Sequence, residues 1–197
     1  ERKRNFHPHH TLVSAAYTAL TKAKAKDPGW HYFELMAITF SALALEALAN
    51  SFGEHLIHGW KDYESASPIA KLRIVCDFLK IEIDFEREPW FVVKWLIKFR
   101  NKVAHAKPQQ IRTESIMTDA ELEAVGREMP ESEMEKEISL HNAERSFATV
   151  ENILAILYGK LDPYDDHNLL ADGWSGSSTK IQEPTPDITG GMNASPA

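Results

Sequence analysis

The chain has 197 residues and a formal net charge of −7 at neutral pH. This length favours one domain with a sizeable hydrophobic core, and the negative charge argues against a general nucleic-acid coat protein, although a local basic groove is compatible with it. The single cysteine, Cys76, excludes an internal disulfide and a cysteine-rich zinc site and is typical of a reducing cytoplasm.

The first nine residues are polar and irregular, with three histidines around Pro8: His7, His9 and His10. Clustered histidines can bind a transition metal. No acidic or cysteine partner lies near them in the sequence, so we expect a solvated N-terminal arm over residues 1–9. No continuous apolar segment follows the basic first residues, so no signal peptide is predicted.

Two helices are predicted next, over residues 11–26 and 32–58. Lysines crowd the end of the first helix, and Asp27-Pro28-Gly29 terminates it. The second helix is apolar nearly all round, so it should lie at the centre of a bundle. Glu46 and Asn50 interrupt its most apolar stretch, which therefore indicates a buried helix rather than a membrane span.

A third helix is predicted over residues 67–80, with Ser67 as its cap and Pro68 at its first position. Residues 81–87 alternate apolar and acidic side chains, which indicates a short extended connector. Residues 90–105 then have the pattern of one amphipathic helix, closed by Pro108.

The polar residues of this amphipathic helix form the most compact candidate site in the sequence. At about 100° per residue, Asn101 and His105 share one face. Three lysines lie on the same face and make it basic: Lys94, Lys98 and Lys102. His105 falls in the last turn, where unpaired carbonyls favour a protonated imidazole.

Arg100 lies in the apolar arc of the same helix, at roughly 140° from His105. A buried guanidinium without a partner is too costly, so Arg100 requires a carboxylate, a subunit interface or an anion. Glu46 is the carboxylate most deeply embedded in the apolar second helix. We therefore predict an Arg100–Glu46 ion pair, which is equally compatible with a catalytic role and with a purely structural one.

The remaining chain is predicted to contain an insertion, a last helix and a tail. Residues 109–131 are the insertion, with a short helix that Thr118 and Glu121 cap. Ser132 and Glu135 form a second capping box that begins a long helix to about residue 161. The predicted fold is an all-α antiparallel bundle of four to five helices over residues 10–161, with a disordered tail over 162–197.

The run Arg100-Asn101-Lys102-Val103-Ala104-His105, R-N-x-x-x-H near a helix end, resembles the signature of the HEPN superfamily of small all-α domains. The resemblance implies a metal-independent endoribonuclease without a cofactor, in a toxin or antiviral role. It implies that His105 transfers protons, that Arg100 stabilises the phosphate, and that Asn101 is an orienting group that holds His105 one turn away or donates to the phosphate. It also implies a homodimer through this helix, with a supporting polar residue on the second helix, for which Glu46 is the candidate.

On this interpretation the three lysines Lys94, Lys98 and Lys102 bind RNA phosphates without reading sequence. Two alternatives stay open. One is a non-catalytic HEPN-like domain that binds RNA or nucleotide, or that partners a nucleotidyltransferase-type protein. The other is a helical dimerisation module in which Arg100 and Glu46 form an internal ion pair. No phosphate-binding glycine loop, HExxH pair or G-x-S-x-G motif is present.

Overall fold

The computed structural model describes residues 2–112, 114, 116–119, 129–162, 169 and 174–176. Within these residues the chain forms five α-helices: α1 (Pro8–Lys24), α2 (Trp30–Leu56), α3 (Pro68–Phe78), α4 (Trp90–Ala104) and α5 (Leu140–Tyr158). Two 3-10 turns occupy Trp60–Tyr63 and Glu135–Glu137. The strands β1 (Arg2–Arg4) and β2 (Trp174–Gly176) form a short antiparallel ribbon. The predicted all-α bundle is confirmed.

Helix α2 is the centre of the bundle, because it packs against α1, α3, α4 and α5. It is long and apolar enough to span a membrane by length and composition, but 56% of its most apolar window is buried inside the protein. Its largest buried side chains meet those of the surrounding helices: Ile38, Leu45, Leu48 and Phe52. A central helix with apolar residues on all sides is therefore explained by neighbours on all sides.

The helix boundaries follow local capping. As predicted, Ser67 caps α3, with its hydroxyl accepting a hydrogen bond from the backbone N–H of Ala70 at 3.3 Å. Ser139 caps α5 in the same way, accepting from the N–H of Asn142 at 3.2 Å. These bonds satisfy backbone donors that the first helical turn leaves without partners.

The prediction that the last helix begins near Ser132 is wrong. The capping box does form, since the Ser132 N–H donates to Glu135 Oε2 at 2.7 Å and the Glu135 N–H donates to Ser132 Oγ at 3.1 Å. It opens only a 3-10 turn, because Ile138 adopts an extended conformation directly after it. Helix α5 starts afresh at Leu140.

The prediction of a solvated arm over residues 1–9 is also wrong for its last two residues, Pro8 and His9. Helix α1 begins at Pro8, and His9 is completely buried. The His9 Nδ1 lies 2.9 Å from Ser51 Oγ and the His9 Nε2 lies 3.1 Å from Tyr158 Oη. An imidazole can enter the core here because both ring nitrogens have partners.

Two parts of the predicted C-terminal tail belong to the described residues. Leu169 is fully buried, and its carbonyl accepts hydrogen bonds from Tyr158 Oη at 3.1 Å and His10 Nε2 at 2.9 Å. Strand β2 then pairs with β1. The rest of the tail prediction, and most of the predicted short helix within the insertion, lie outside the described residues.

Candidate functional site at the end of helix α4

Helix α4 positions the candidate site by burying one face. Its buried side chains are Trp90, Val92, Val93, Leu96, Ile97 and Phe99, and they face the core. The opposite face leaves Lys94, Lys98, Asn101 and Lys102 exposed. The helix ends at Ala104, so His105 is its C-terminal cap and its backbone N–H donates to Asn101 O at 3.0 Å.

The predicted ion pair between Arg100 and Glu46 is confirmed. Arg100 Nη2 lies 2.6 Å from Glu46 Oε2, in a contact that joins α4 to the central helix α2. The two side chains are 28% and 23% exposed, so the pair is largely screened from water while part of the guanidinium stays accessible. Such a charge-assisted hydrogen bond fixes the position of the arginine.

Lys71 is a third member of this charged group, and it was not predicted. It lies on α3 with only 5% of its surface exposed, and its Nζ is 3.9 Å from Glu46 Oε1. One carboxylate therefore lies between two cations. Lys71 precedes the core residue Val75 by one helical turn and shares its face, but this spacing alone does not distinguish a buried lysine from one at a solvated rim.

Asn101 contacts Arg100 rather than His105. Its Oδ1 accepts a hydrogen bond from Arg100 Nη1 at 2.9 Å, so the guanidinium is held from two sides. Among the described residues, no hydrogen bond or ion pair joins the His105 imidazole to Arg100 or Asn101. The three motif residues thus lie at one helix end. Arg100 is hydrogen-bonded to Asn101 and Glu46, whereas His105 is exposed and contacts neither Arg100 nor Asn101 through a hydrogen bond.

Fewer lysines contribute positive charge to the exposed face of α4 than the sequence predicts. Lys102 Nζ forms an ion pair with Glu137 Oε1 at 2.6 Å, so the second 3-10 turn neutralises it. Lys94 Nζ lies 5.8 Å from the centre of the Phe85 ring, in a cation–π contact. Lys98 is exposed midway along the same face. Lys94 and Lys98 are therefore the lysines that carry the positive charge of this surface.

Other chemistry in the described part of the chain is limited. Burial raises the pKa of the Cys76 thiol from 9.0 to about 12, which makes it a poor nucleophile near neutral pH. No group of three or more His, Cys, Asp and Glu side chains within the described ranges is arranged to hold a metal ion. The C-terminal end of α4 is therefore the candidate functional site among the described residues.

Comparison with known proteins returned no match to a family model, to a curated protein sequence or to a solved structure.

Proposed function

We propose that this protein is a HEPN-like, metal-independent endoribonuclease that acts as a homodimer through α4. The observation that supports the proposal is the arrangement of Arg100, Asn101 and His105 at one exposed helix end, with Arg100 held by Glu46. A cytoplasmic toxin or antiviral effector is the biological role that we propose with this activity.

Arg100 would stabilise the reacting phosphate. Glu46 and Asn101 each accept one hydrogen bond from the guanidinium, which has five N–H donors, so further donors stay available for phosphate oxygens. A positioned and permanent positive charge favours the extra negative charge that develops on the phosphate in the transition state. Glu46 and Asn101 are positioning residues in this account.

His105 would transfer protons. In RNA cleavage without a metal, the ribose 2′-oxygen loses its proton and attacks the phosphorus, and the 5′-oxygen of the next nucleotide accepts a proton as it leaves. The products are a 2′,3′-cyclic phosphate and a free 5′-hydroxyl. A histidine at a solvent-accessible position can act as the base or as the acid. A symmetric dimer would supply the second histidine, and Lys94 and Lys98 would bind the neighbouring phosphates.

A second candidate function is a non-catalytic HEPN-like domain that binds RNA or nucleotide, partners a nucleotidyltransferase-type protein or only dimerises. The contact that favours it is the same ion pair, because Glu46 satisfies the Arg100 guanidinium within a single chain. An arginine that needs neither phosphate nor partner is compatible with a structural role.

Cleavage of a mixed RNA in excess EDTA separates the two candidates. The ribonuclease proposal predicts that the wild-type protein cleaves and that His105→Ala reduces the rate at least about 100-fold, the usual scale for losing a general acid or base. His141→Ala is the matched control, because His141 is an exposed histidine on α5 away from the motif. An inert wild-type protein would support the non-catalytic candidate, and equal cleavage by His105→Ala would contradict catalysis by this motif.

A further inference from the structure

A cavity of about 810 Å³ lies between the N-terminal segment, the C-terminal half of α2, the first 3-10 turn and α3. No residue of α4 contributes to its lining, and Lys71, which lies near Glu46, is the residue that it shares with the site proposed above. Its volume is within the range of roughly 300–1,000 Å³ that is usual for small-molecule sites.

Lys71 is the unusual residue in the wall of this cavity. It is more than nine-tenths buried, yet its distance of 3.9 Å from Glu46 is too long for a hydrogen bond. The other oxygen of Glu46 lies 2.6 Å from Arg100. The three side chains together carry one formal positive charge in excess, and the cation with the weaker contact is the one that lines the cavity. A buried ammonium group normally has a closer counterion.

Aromatic side chains form other parts of the wall. Trp60 is buried and packs directly on α2 at Gly53, where a Cβ atom would overlap the indole ring. Glycine at this position therefore allows the indole to approach the helix and form the wall. Phe6 lies on the opposite segment, with the Arg4 guanidinium 5.2 Å from its ring centre.

The charges that line the cavity limit the kind of anion that it accepts. Glu54 and Glu64 line it and are both exposed, and they balance the charges of Arg4 and Lys71 in the same lining. The two carboxylates disfavour a polyanion such as RNA more strongly than a molecule with a single anionic group.

We propose that this cavity binds a small organic anion, with its charged group on Lys71 Nζ and its apolar body against Trp60 and Phe6. The anion would give Lys71 a closer counterion than Glu46, whose Oε1 lies 3.9 Å from the Lys71 Nζ. A carboxylate and a phosphate monoester both satisfy this chemistry.

Isothermal titration calorimetry of the full chain at constant ionic strength tests the proposal, with benzoate, phenyl phosphate and the neutral analogue benzyl alcohol as probes. We expect saturable one-to-one binding of at least one anion, about tenfold or more tighter than binding of the alcohol. The preferred probe identifies the head group. Lys71→Met should weaken anion binding by about tenfold or more, whereas Lys61→Met, a nearby exposed lysine that does not line the cavity, should leave it unchanged.

The proposal is overturned if neither anion binds saturably, if benzyl alcohol binds as tightly, or if Lys71→Met binds like the wild type. Circular dichroism checks the fold of each variant. If Lys71→Met does not fold, Lys71→Gln retains a polar end and removes the charge, and the same loss is expected. These outcomes are independent of RNA cleavage, because the titration reads binding alone and leaves Arg100 and His105 intact.

Discussion

Glu46 links three helices. It lies on α2, its carboxylate contacts Arg100 of α4, and it lies near Lys71 of α3. An arginine is tolerated on the core side of α4 because its charge meets this carboxylate. Removal of one partner from a buried pair is costly, since the remaining charge stays desolvated. The stability of the bundle and the placement of Arg100 are therefore linked.

Glu46→Gln should lower the free energy of unfolding by about 1–3 kcal/mol, because two largely buried cations then face each other without a carboxylate. Urea denaturation measures the change. Glu54→Gln is the matched control on an exposed position of the same helix and should stay within about 0.5 kcal/mol of the wild type. Equal stability of the wild type and Glu46→Gln would contradict a structural role for the pair.

Glu34 makes the stability depend on pH in a defined direction. It is only 3% exposed, and burial raises the pKa of its carboxyl above the ordinary value of 4.5, although His31 nearby partly opposes this. The folded state therefore binds more protons than the unfolded state in the window above pH 4.5. Stability from this group is present below that pH and is lost as the pH rises through the raised pKa.

Glu34→Gln should consequently raise the melting temperature at pH 7 and change it little at pH 4. The amide is neutral at both values, so it avoids the cost of a buried charge. Thermal unfolding at the two pH values measures this difference, with the exposed Glu151→Gln on α5 as the control. A lower melting temperature of Glu34→Gln at pH 7 would show that the contact with His31 outweighs burial.

At the scale of elements, one hydrogen-bonded series of side chains holds the start of α1 and Leu169 to the bundle. Tyr158 Oη donates to the Leu169 carbonyl, and His9 Nε2 lies 3.1 Å from Tyr158 Oη. The His9 ring lies between this hydroxyl and Ser51 Oγ, which is 2.9 Å from His9 Nδ1. His9 of α1 thus links Ser51 of α2 to Tyr158 of α5, and Tyr158 links His9 to Leu169.

Tyr158→Phe should lower stability by about 1–2 kcal/mol, because it removes the hydroxyl that contacts both the buried His9 ring and the Leu169 carbonyl. It should also speed amide hydrogen exchange in β1 and β2, since Leu169 loses one of its anchors. Exchange detected by mass spectrometry measures both strands. Tyr63→Phe, at an exposed tyrosine of the first 3-10 turn, should leave their exchange unchanged. Equal exchange in Tyr158→Phe would contradict this anchoring.

The sequence predicts the elements that depend on local signals. Ser67-Pro68 marks the start of α3, and the all-round apolar pattern identifies α2 as central. The Arg100–Glu46 pair was also predictable, because each residue is an embedded charge that needs the other. The position of Lys71 beside them was not, because a single lysine next to an apolar stripe is equally compatible with a solvated rim.

Long-range contacts account for the wrong predictions. His9 is polar in sequence and buried in the structure, because Ser51 and Tyr158 come from helices far along the chain. The β1–β2 ribbon joins residues that are about 170 positions apart in the sequence, and neither three-residue strand has a recognisable pattern of its own. The start of α5 was misplaced because two serine caps follow each other closely, and the conformation of Ile138 selects the second one.

At the scale of the whole molecule, the proposed dimer brings together two copies of the exposed α4 face. Lys94 and Lys98 carry its positive charge, and each chain has a net charge of −7. Both features oppose association at low ionic strength. RNA bound between the two faces would relieve the repulsion between the lysines.

Sedimentation velocity should therefore show a homodimer whose association strengthens as salt is raised from low to physiological concentration. The double variant Lys94→Gln/Lys98→Gln should dimerise about two- to tenfold more tightly at low salt, because it removes like charges from the interface. Lys61→Gln/Lys160→Gln is the control at exposed positions outside α4. A monomer at every concentration, or the same effect from both double variants, would contradict dimerisation through α4.

The chemical groups at the ends of the cleaved RNA test the proposed reaction directly. A short RNA that the protein cleaves at one position is incubated in excess EDTA, and the products are analysed by mass spectrometry. The proposed mechanism predicts a 2′,3′-cyclic phosphate and a 5′-hydroxyl. It also predicts no cleavage when the nucleotide before the cleaved bond is 2′-deoxy, or when His105 is replaced by alanine in folded protein. Cleavage of the 2′-deoxy substrate, or products that end in a 5′-phosphate, would contradict this mechanism.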